Sequence, residues 1–131
     1  MASYQWGLIC QQAIVDRYTN NISYINAIED ISTSSFPAET PNLFVSFTWR
    51  GDVDEEEIKT RIVVENEEGK EIYEGAKSNL EFQGNKRIRD NNFIGGIEVK
   101  GPGTIWFCAE KKEDNGWTRE ASLPLDISRA S

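Results

Sequence analysis

The amino-acid sequence predicts an all-β protein, a single antiparallel β-sandwich of about seven or eight strands. Three observations predict it. Apolar residues recur with a period of two rather than 3.6, turn residues separate the apolar segments at intervals of about 8–12 residues, and helix signals are weak. The chain has 131 residues, which is the size of one domain, so we expect one sandwich over residues 1–131.

The first half of the chain contains the clearest strand patterns. Residues 6–16 and 21–29 are apolar-to-mixed runs joined by an Asn-containing turn. Residues 32–42 contain prolines and small polar residues, which is typical of a loop. In residues 43–50 four apolar side chains alternate with polar ones, as in a half-buried strand that places Trp49 in the core: Leu43, Val45, Phe47 and Trp49.

Two hairpins follow, each with a three-residue loop that ends in glycine, at residues 67–69 and 114–116. Such loops are typical of a type I turn with a glycine bulge. The register that results pairs Val64 with Ile72 in the first hairpin. Pro124 cannot donate to a ladder, so the last strand is expected at an edge or at a change of sheet. In the second hairpin the register gives three apolar pairs: Phe107 with Leu123, Ile105 with Leu125, and Ala109 with Ala121.

Composition limits the function. The chain has 14 basic and 22 acidic residues, a net charge of −8, which opposes direct contact with nucleic acid or an anionic membrane. A protein partner with a basic surface is favoured instead. Histidine is absent, which excludes Ser-His-Asp and Cys-His nucleophiles and histidine-ligated zinc. We therefore expect no enzyme, no cofactor and no metal.

The two cysteines, Cys10 and Cys108, lie in apolar strand-like stretches. The first residues lack the pattern of a signal peptide, and no apolar window is long enough to span a membrane. We therefore expect a cytoplasmic protein with free, buried thiols. A disulfide would require the first and the penultimate strand to be neighbours.

Motifs spread over most of the chain resemble an uncharacterised bacterial family of small β-sandwich domains. That family opens on a Cys-containing strand followed by a Val-Asp…Asn…Ser turn, and closes on a Pro-Gly aromatic strand and Ser-Leu-Pro-Leu. The resemblance implies an immunoglobulin-like fold and supplies no catalytic residues. The matching segments are Leu8-Ile9-Cys10, Val15-Asp16, Asn20-Asn21-Ile22-Ser23, Phe36-Pro37-Ala38, Pro102-Gly103-Thr104-Ile105-Trp106-Phe107 and Ser122-Leu123-Pro124-Leu125.

Five residues are candidates for partner binding. Trp106 points away from the Phe107 face in the predicted register, and Trp117 lies at the hairpin end, so both suit an interface. The acidic run that includes Asp52, Asp54 and Glu55 either contacts a basic partner, ligates Ca²⁺ or is a solvated loop. It lacks the spacing of an EF-hand.

Basic residues form two modest groups, and two interpretations stay open for them. They bind a small phosphate or nucleotide, or they pair across strands with Glu110, Glu113 and Glu120. The groups are Lys86, Arg87 and Arg89, and Lys111, Lys112 and Arg119.

The sequence therefore predicts a non-enzymatic acidic binding protein that acts by protein–protein contact. A specific version is a phage-type inhibitor whose acidic face mimics nucleic acid and blocks a host nucleic-acid-processing or defence enzyme. The alternatives are a protein that sequesters a small anionic ligand such as a nucleotide, a structural subunit of a larger assembly, and a carboxylate- or metal-dependent hydrolase. Exposed edges at the last strand and at residues 78–83 are compatible with a homodimer.

Overall fold

The described part of the chain consists of β-strands and their connections. The structure is a computed structural model and describes residues 2–52, 56–84 and 86–130. No helix within these ranges is long and apolar enough to cross a membrane. The prediction of an all-β protein is confirmed. The strands are β1 (Ser3–Val15), β2 (Ile22–Ala27), β3 (Asp30–Thr33), β4 (Ala38–Glu39), β5 (Leu43–Arg50), β6 (Glu56–Glu65), β7 (Glu71–Phe82), β8 (Arg87–Ile94), β9 (Glu98–Val99), β10 (Gly103–Glu113) and β11 (Gly116–Arg129).

The strands form two main sheets and one short ribbon. The four-stranded sheet has the order β2-β1-β5-β8 with antiparallel neighbours. The five-stranded sheet has the order β3-β11-β10-β6-β7, in which β3 runs parallel to β11 and the other described pairs are antiparallel. The ribbon pairs β4 with β9. The two main sheets are therefore antiparallel except at the β3 edge.

The predicted number of strands is too low for the described residues. The additional strands are short: β3 has four residues, and β4 and β9 have two each. Segments of this length are too short to show a period of two, and β4 lies within residues 32–42, which the sequence predicts as a loop. Their pairing depends on neighbours that are distant in sequence.

The core lies between the facing sides of the two main sheets. Val45, Phe47 and Trp49 of β5 belong to the same buried cluster as Val64 of β6 and Phe107 of β10. Trp49 is fully buried, as the alternation in residues 43–50 predicts. Because alternate residues of a strand point to opposite faces, the side chains between these core positions define the outer face of each sheet.

The predicted register of the β10–β11 hairpin is confirmed for Phe107 with Leu123, Ile105 with Leu125, and Ala109 with Ala121. The loop differs from the prediction. Glu113 pairs with Gly116, so the turn between the strands has two residues, and the register shift lies between Ala109 and Glu110. Gly116 has a φ of 129°, a conformation that favours glycine.

The predicted register of the β6–β7 hairpin is wrong beyond the pair next to the turn. It is off by one residue at Val64 and Val63, and by two residues from Arg61 to Glu56. Val64 pairs with Tyr73 rather than with Ile72. The register shifts between Val64 and Glu65, because a bulge there leaves Ile72 as an extra residue. The turn glycine itself is as predicted: Gly69 has a φ of 81°, and its N–H donates to the carbonyl of Asn66 at 3.0 Å.

Residues 11–26, which we call the arm, fold back over the outer face of the four-stranded sheet. The Arg89 guanidinium donates to the carbonyl of Asn20 in the arm at 2.7 Å. The Tyr24 hydroxyl lies 3.0 Å from Ser46 Oγ. Ser46 pairs with Asn91, and Thr48 pairs with Arg89, so all four belong to this outer face. The arm explains why Ser46 and Thr48 are buried although they point away from the core.

Pro124 lies where β11 has no neighbour on its second side. The β3–β11 pairing covers Asp126 to Arg129, so β11 is an edge at Pro124 and becomes an inner strand two residues later. The missing N–H of proline therefore removes no ladder bond to β3. The expectation of an edge is correct at this residue.

The two cysteines lie on opposite sides of the molecule. Cys10 pairs with Phe44 on the outer face of the four-stranded sheet, whereas Cys108 pairs with Ser122 on the outer face of the five-stranded sheet. The core separates them, so they do not form a disulfide. Both are free and buried.

Candidate functional site

Trp106 and Trp117 both lie on the outer face of the five-stranded sheet. Trp106 pairs with Pro124 and with Glu65, and Trp117 pairs with Lys112, at even-numbered positions of β10 that alternate with the core residues. Six residues of β10 separate the two positions, which is about 20 Å along a strand. Trp106 is 37% exposed. The structure therefore places both sequence candidates on one face.

A chain of five charged side chains crosses the same face. Arg61 Nε donates to Glu110 Oε1 at 2.8 Å, and Arg61 Nη1 donates to Glu74 at 3.2 Å. Arg119 donates to both Glu65 oxygens at 2.9 and 2.7 Å, and its Nη2 also donates to Glu110 Oε2 at 3.1 Å. Glu110 is buried and receives both guanidinium groups. For Arg119 the interpretation of cross-strand pairing is therefore confirmed.

The hydrogen bonds of this network affect protonation in the expected directions. The bonds from Arg119 lower the pKa of Glu65. The same bonds raise the pKa of Arg119. Both shifts favour the charged forms of Glu65 and Arg119, so the pair is held as an ion pair at neutral pH.

Cationic side chains contact the ring of Trp117. The Arg61 guanidinium lies 4.5 Å from the centre of the Trp117 ring, and Lys112 Nζ lies 5.3 Å from it. Such contacts orient an indole and partly cover its faces. The ring is half-buried, so Trp117 is a less exposed anchor than Trp106.

Cys108 lies beneath a shallow cavity next to Trp106. The cavity has a volume of about 360 Å³ and is lined by residues that include Trp106, Cys108, Arg119 and Glu65. Burial raises the pKa of the Cys108 thiol. A thiol that stays protonated is a weak nucleophile, so this arrangement favours packing and not thiol catalysis.

Asp52, the described member of the acidic trio, lies far from Trp106. Asp52 is exposed and its N–H donates to Glu56 Oε1 at 3.3 Å, whereas Asp54 and Glu55 lie outside the described residues. Glu56 begins β6, and Glu65, which pairs with Trp106, ends it. Glu56 and Trp106 are therefore roughly 30 Å apart. Within residues 2–52, 56–84 and 86–130, no group of three or more Cys, Asp and Glu side chains is placed to hold a metal ion.

Lys111 is the buried member of the second basic group. Its ammonium donates to the carbonyl of Ala2 at 2.9 Å and lies 3.4 Å from Glu120 and 3.6 Å from Glu113. Cross-strand and end-of-sheet pairing therefore accounts for Lys111 as well. It fixes the start of the chain against the end of the sandwich.

The outer face of the four-stranded sheet carries functional candidates that the sequence interpretation missed. Exposed apolar side chains lie on the first part of β1, on the arm and on β8: Trp6, Ile14, Val15, Tyr18 and Phe93. Tyr18 is 88% exposed and Phe93 is 72% exposed. Phe93 has a signal in the sequence, since it shares the alternation of Arg87, Arg89 and Asn91, but the approach of the arm has none.

The basic residues of this second face are less fully neutralised than those of the first, although the exposed Asp52 carboxylate interacts electrostatically with Arg50. Arg50 pairs in register with Arg87, and Arg89 lies one row further along the same face. Among the described residues no carboxylate forms an ion pair with Arg50, Arg87 or Lys86. The first basic group therefore differs from the second, because cross-strand pairing with glutamates does not account for it.

A larger cavity of about 460 Å³ lies at one end of the sandwich. The β6–β7 turn and the segment that leads into β10 line it, with Glu67, Lys70, Glu98 and Lys100 around an apolar floor that includes Ile105. Glu67 Oε1 accepts a hydrogen bond from the Thr104 N–H at 3.0 Å. Glu68 also lines the cavity, so three carboxylates face two ammonium groups and the lining does not favour an anionic ligand.

The two main sheets pack face to face and form a small all-β domain. Its candidate binding residues lie on the outer faces of the two sheets. The chain belongs to the family of unknown function DUF6941, which it matches over residues 5–125. The expected resemblance to an uncharacterised family is confirmed. No curated protein matches the chain.

Proposed function

We propose that the chain is a non-enzymatic binding protein that acts by protein–protein contact through the outer face of its five-stranded sheet. The observation that carries the proposal is the placement of Trp106 and Trp117 on this face. Tryptophan and arginine supply most of the energy of protein interfaces. The arginines here are already oriented by glutamates, so they lose little freedom on binding.

A partner with a basic surface fits the rim of this face. Glu71 of β7 is exposed and lies opposite Glu65 in register. Arg119 already holds the Glu65 carboxylate, so Glu71 is the member of this pair that a cation of the partner would contact. Glu74 is 45% exposed at its side chain. An inhibitor of the phage type, directed at a nucleic-acid-processing or defence enzyme in the cytoplasm, is the narrower version of this proposal.

A binding role, rather than catalysis, is supported by the chemistry of the same residues. The sequence has no histidine, and the carboxylates of the face are held by guanidinium groups. The thiol of Cys108 has a raised pKa. General acid–base catalysis would require a group whose pKa lies near the working pH. The bonds from Arg119 lower the pKa of Glu65 and burial raises the pKa of Cys108, which moves both away from neutrality.

We also infer an immunoglobulin-like sandwich. Its support is the order of the longer strands: β1-β5-β8 in one sheet faces β11-β10-β6-β7 in the other. Immunoglobulin-like folds have the same alternation of hairpins and crossovers between two sheets. On this interpretation the arm is an addition to the first strand of the sandwich.

The experiment that tests the proposal places a photo-crosslinking amino acid at residue 106 and, as a matched control, at residue 93 on the opposite face. Cells that express each variant are irradiated, and crosslinked proteins are identified by mass spectrometry. We expect one partner to crosslink at residue 106 and not at residue 93. Purified partner should then bind Trp106→Ala at least tenfold more weakly and Phe93→Ala equally well. Equal crosslinking at both residues, or unchanged binding of Trp106→Ala, contradicts the proposal.

The second candidate function, binding of a small anionic ligand, is favoured by one specific observation. Arg50 and Arg87 are opposite each other on the four-stranded sheet without a carboxylate partner among the described residues. That site is independent of the tryptophan face, since it lies across the core from it.

A further inference from the structure

The outer face of the four-stranded sheet holds a pair of arginines that repel each other. Arg50 of β5 and Arg87 of β8 are partners in the antiparallel register, and both are exposed. Directly opposite side chains have Cβ atoms about 5 Å apart, and like charges at that distance destabilise a sheet. A bound anion would convert this repulsion into attraction for both guanidinium groups.

A third arginine and an indole lie in the adjacent row of the same face. Trp6 of β1, Thr48 of β5 and Arg89 of β8 are neighbours in register across the three strands. Trp6 is 42% exposed, and its ring meets Tyr24 edge-on at 5.8 Å. One side of the indole is thus supported by the arm, which leaves the rest of it accessible for stacking.

The arm turns this flat face into a step. Tyr24 and Asn20 contact Ser46 and Arg89 from above, so the arm rises from the sheet next to the arginine pair. The hydroxyl of Thr48, in the row of Trp6 and Arg89, has no hydrogen-bond partner among the described residues. Thr48 is buried beneath the arm, so a ligand on the step would contact the arginines and Trp6 rather than this hydroxyl.

The local charge differs in sign from the charge of the whole molecule. The four strands of this sheet and the β1–β2 turn contain Arg17, Arg50, Arg87 and Arg89, against Asp16 and Asp90. Asp52, two residues beyond Arg50, is the acidic group that interacts electrostatically with that arginine. Asp16 accepts hydrogen bonds from two backbone N–H groups of its own turn, and Asp90 lies on the core side of β8. A basic area is thus retained in a chain with a net charge of −8.

From these contacts we infer that this step is a binding site for a nucleoside phosphate. The phosphates lie on Arg50 and Arg87, with Arg89 at their flank, and the base stacks on Trp6. The rows of Trp6 and Arg50 are two residues apart, and Trp6 and Arg87 are two strands apart, which places the backbone of Trp6 about 10 Å from the backbone of the two arginines. A nucleoside diphosphate spans this distance. The inference rests on the second candidate function and not on the Trp106 face.

The test is calorimetric titration of the full chain with ADP, pyrophosphate and adenosine at low ionic strength. We expect ADP to bind, pyrophosphate to bind more weakly, and adenosine to bind weakest. Arg50→Gln and Arg87→Gln should each weaken ADP binding by about tenfold. Arg129→Gln, an exposed arginine on the other sheet, is the matched control and should bind as the wild type does.

Two further readouts separate binding from folding. Arg87→Gln removes a repulsive pair, so it should unfold at a higher temperature than the wild type while losing the stabilisation that ADP gives. Trp6→Leu should weaken ADP binding and leave pyrophosphate binding unchanged, because the base alone contacts the indole.

Several results would overturn the inference. They are the absence of binding by both ADP and pyrophosphate, and equal binding by the Arg50 and Arg87 variants and the wild type. Binding of a ten-nucleotide oligothymidylate without any binding of ADP would assign the surface to single-stranded nucleic acid instead. None of these results bears on the crosslinking at residue 106, so the two proposals fail separately.

Discussion

The two outer faces of this molecule treat their arginines in opposite ways. On the five-stranded sheet, Arg61 and Arg119 are saturated by glutamates that come from neighbouring strands. On the four-stranded sheet, Arg50 and Arg87 oppose each other with no such partner among the described residues. The first face is internally neutralised and suits contact through aromatic rings, whereas the second retains charge that an external anion can use.

The faces also differ in their cover. The arm lies on the four-stranded sheet and buries Ser46 and Thr48, while no described segment crosses the outer face of the five-stranded sheet in this way. A face stabilised by ion pairs can remain open to solvent. A face with repelling charges gains from a covering segment that supplies carbonyl acceptors, as Asn20 does for Arg89.

The largest expected effect comes from breaking the neutralised face at its buried carboxylate. Glu110→Ala should lower the free energy of unfolding by about 3 kcal/mol, because it leaves two guanidinium groups with one partner fewer in a buried setting. Glu74→Ala is the matched control, since Glu74 is an exposed end of the same network, and it should cost under about 1 kcal/mol. Urea unfolding of both variants measures the difference. Equal losses would show that the network is not centred on Glu110.

The second prediction concerns a carboxylate without a cation. Asp90 of β8 points to the core and accepts a hydrogen bond from the Thr60 hydroxyl at 3.2 Å. Burial raises the pKa of Asp90, against the effect of its hydrogen bonds. The contribution of its neutral form to stability is complete below the unfolded pKa and is lost as the pH rises through the folded pKa.

We therefore expect Asp90→Asn to be more stable than the wild type at pH 7. Its free energy of unfolding should also fall less than that of the wild type as the pH rises above the acid range.

Glu65→Gln should act in the opposite direction and be less stable than the wild type at pH 7, because the bonds from Arg119 lower the pKa of Glu65. Its contribution is present above the unfolded pKa and is lost as the pH falls through the folded pKa. Urea unfolding between about pH 3 and pH 8 measures both. A wild-type profile for Asp90→Asn would contradict the assignment.

Sequence reasoning predicts the strands well where one face is buried throughout. Phe107 and Leu123 are found opposite each other because any other register would place polar side chains in the core. The same alternation places Trp106 on the outer face. Val64 shows the limit of this reasoning, because its hairpin carries a bulge and both faces of β6 hold apolar residues, so the pattern tolerates a slip of one residue.

The candidate sites were only partly predictable. The two basic groups look alike in the sequence, yet Arg119 reaches Glu65 on a strand that is 54 positions away, while Arg87 meets Arg50. Only the strand order decides which charges become neighbours. The turn between β1 and β2 is predicted by its asparagines, but the approach of the arm to Ser46 and Arg89 was not predictable, because these contacts join residues that are distant in sequence.

A smaller effect is expected from loosening the arm. Tyr24→Phe removes the hydrogen bond to Ser46 but leaves the bond from Ser46 Oγ to Asn91 at 2.7 Å. We expect a loss of about 1 kcal/mol, together with faster amide exchange confined to residues 11–26. Tyr18→Phe is the control, because Tyr18 is exposed at the arm tip and should change neither quantity. Faster exchange spread over both sheets would mean that the arm does not open by itself.

The two buried cysteines lie on different outer faces, so their labelling rates test the two faces separately. The smallest expected effect is the difference between these two rates. Burial raises the pKa of both Cys10 and Cys108, so each thiol reacts with a maleimide only after an opening event. Cys10 lies at the root of the arm, whereas Cys108 lies between strands of the five-stranded sheet. Lifting the arm exposes little surface, and separating β6, β10 and β11 exposes most of the core.

We therefore expect Cys10 to label faster than Cys108, at a rate that depends weakly on urea, while the rate at Cys108 rises steeply with urea. Variants with one cysteine each, Cys10→Ala and Cys108→Ala, allow the two rates to be followed by intact mass. Equal slopes against urea would mean that both thiols are exposed by the same global unfolding. In that case the arm is a fixed part of the sheet, and the step beside Arg50 and Arg87 is as rigid as the tryptophan face across the core.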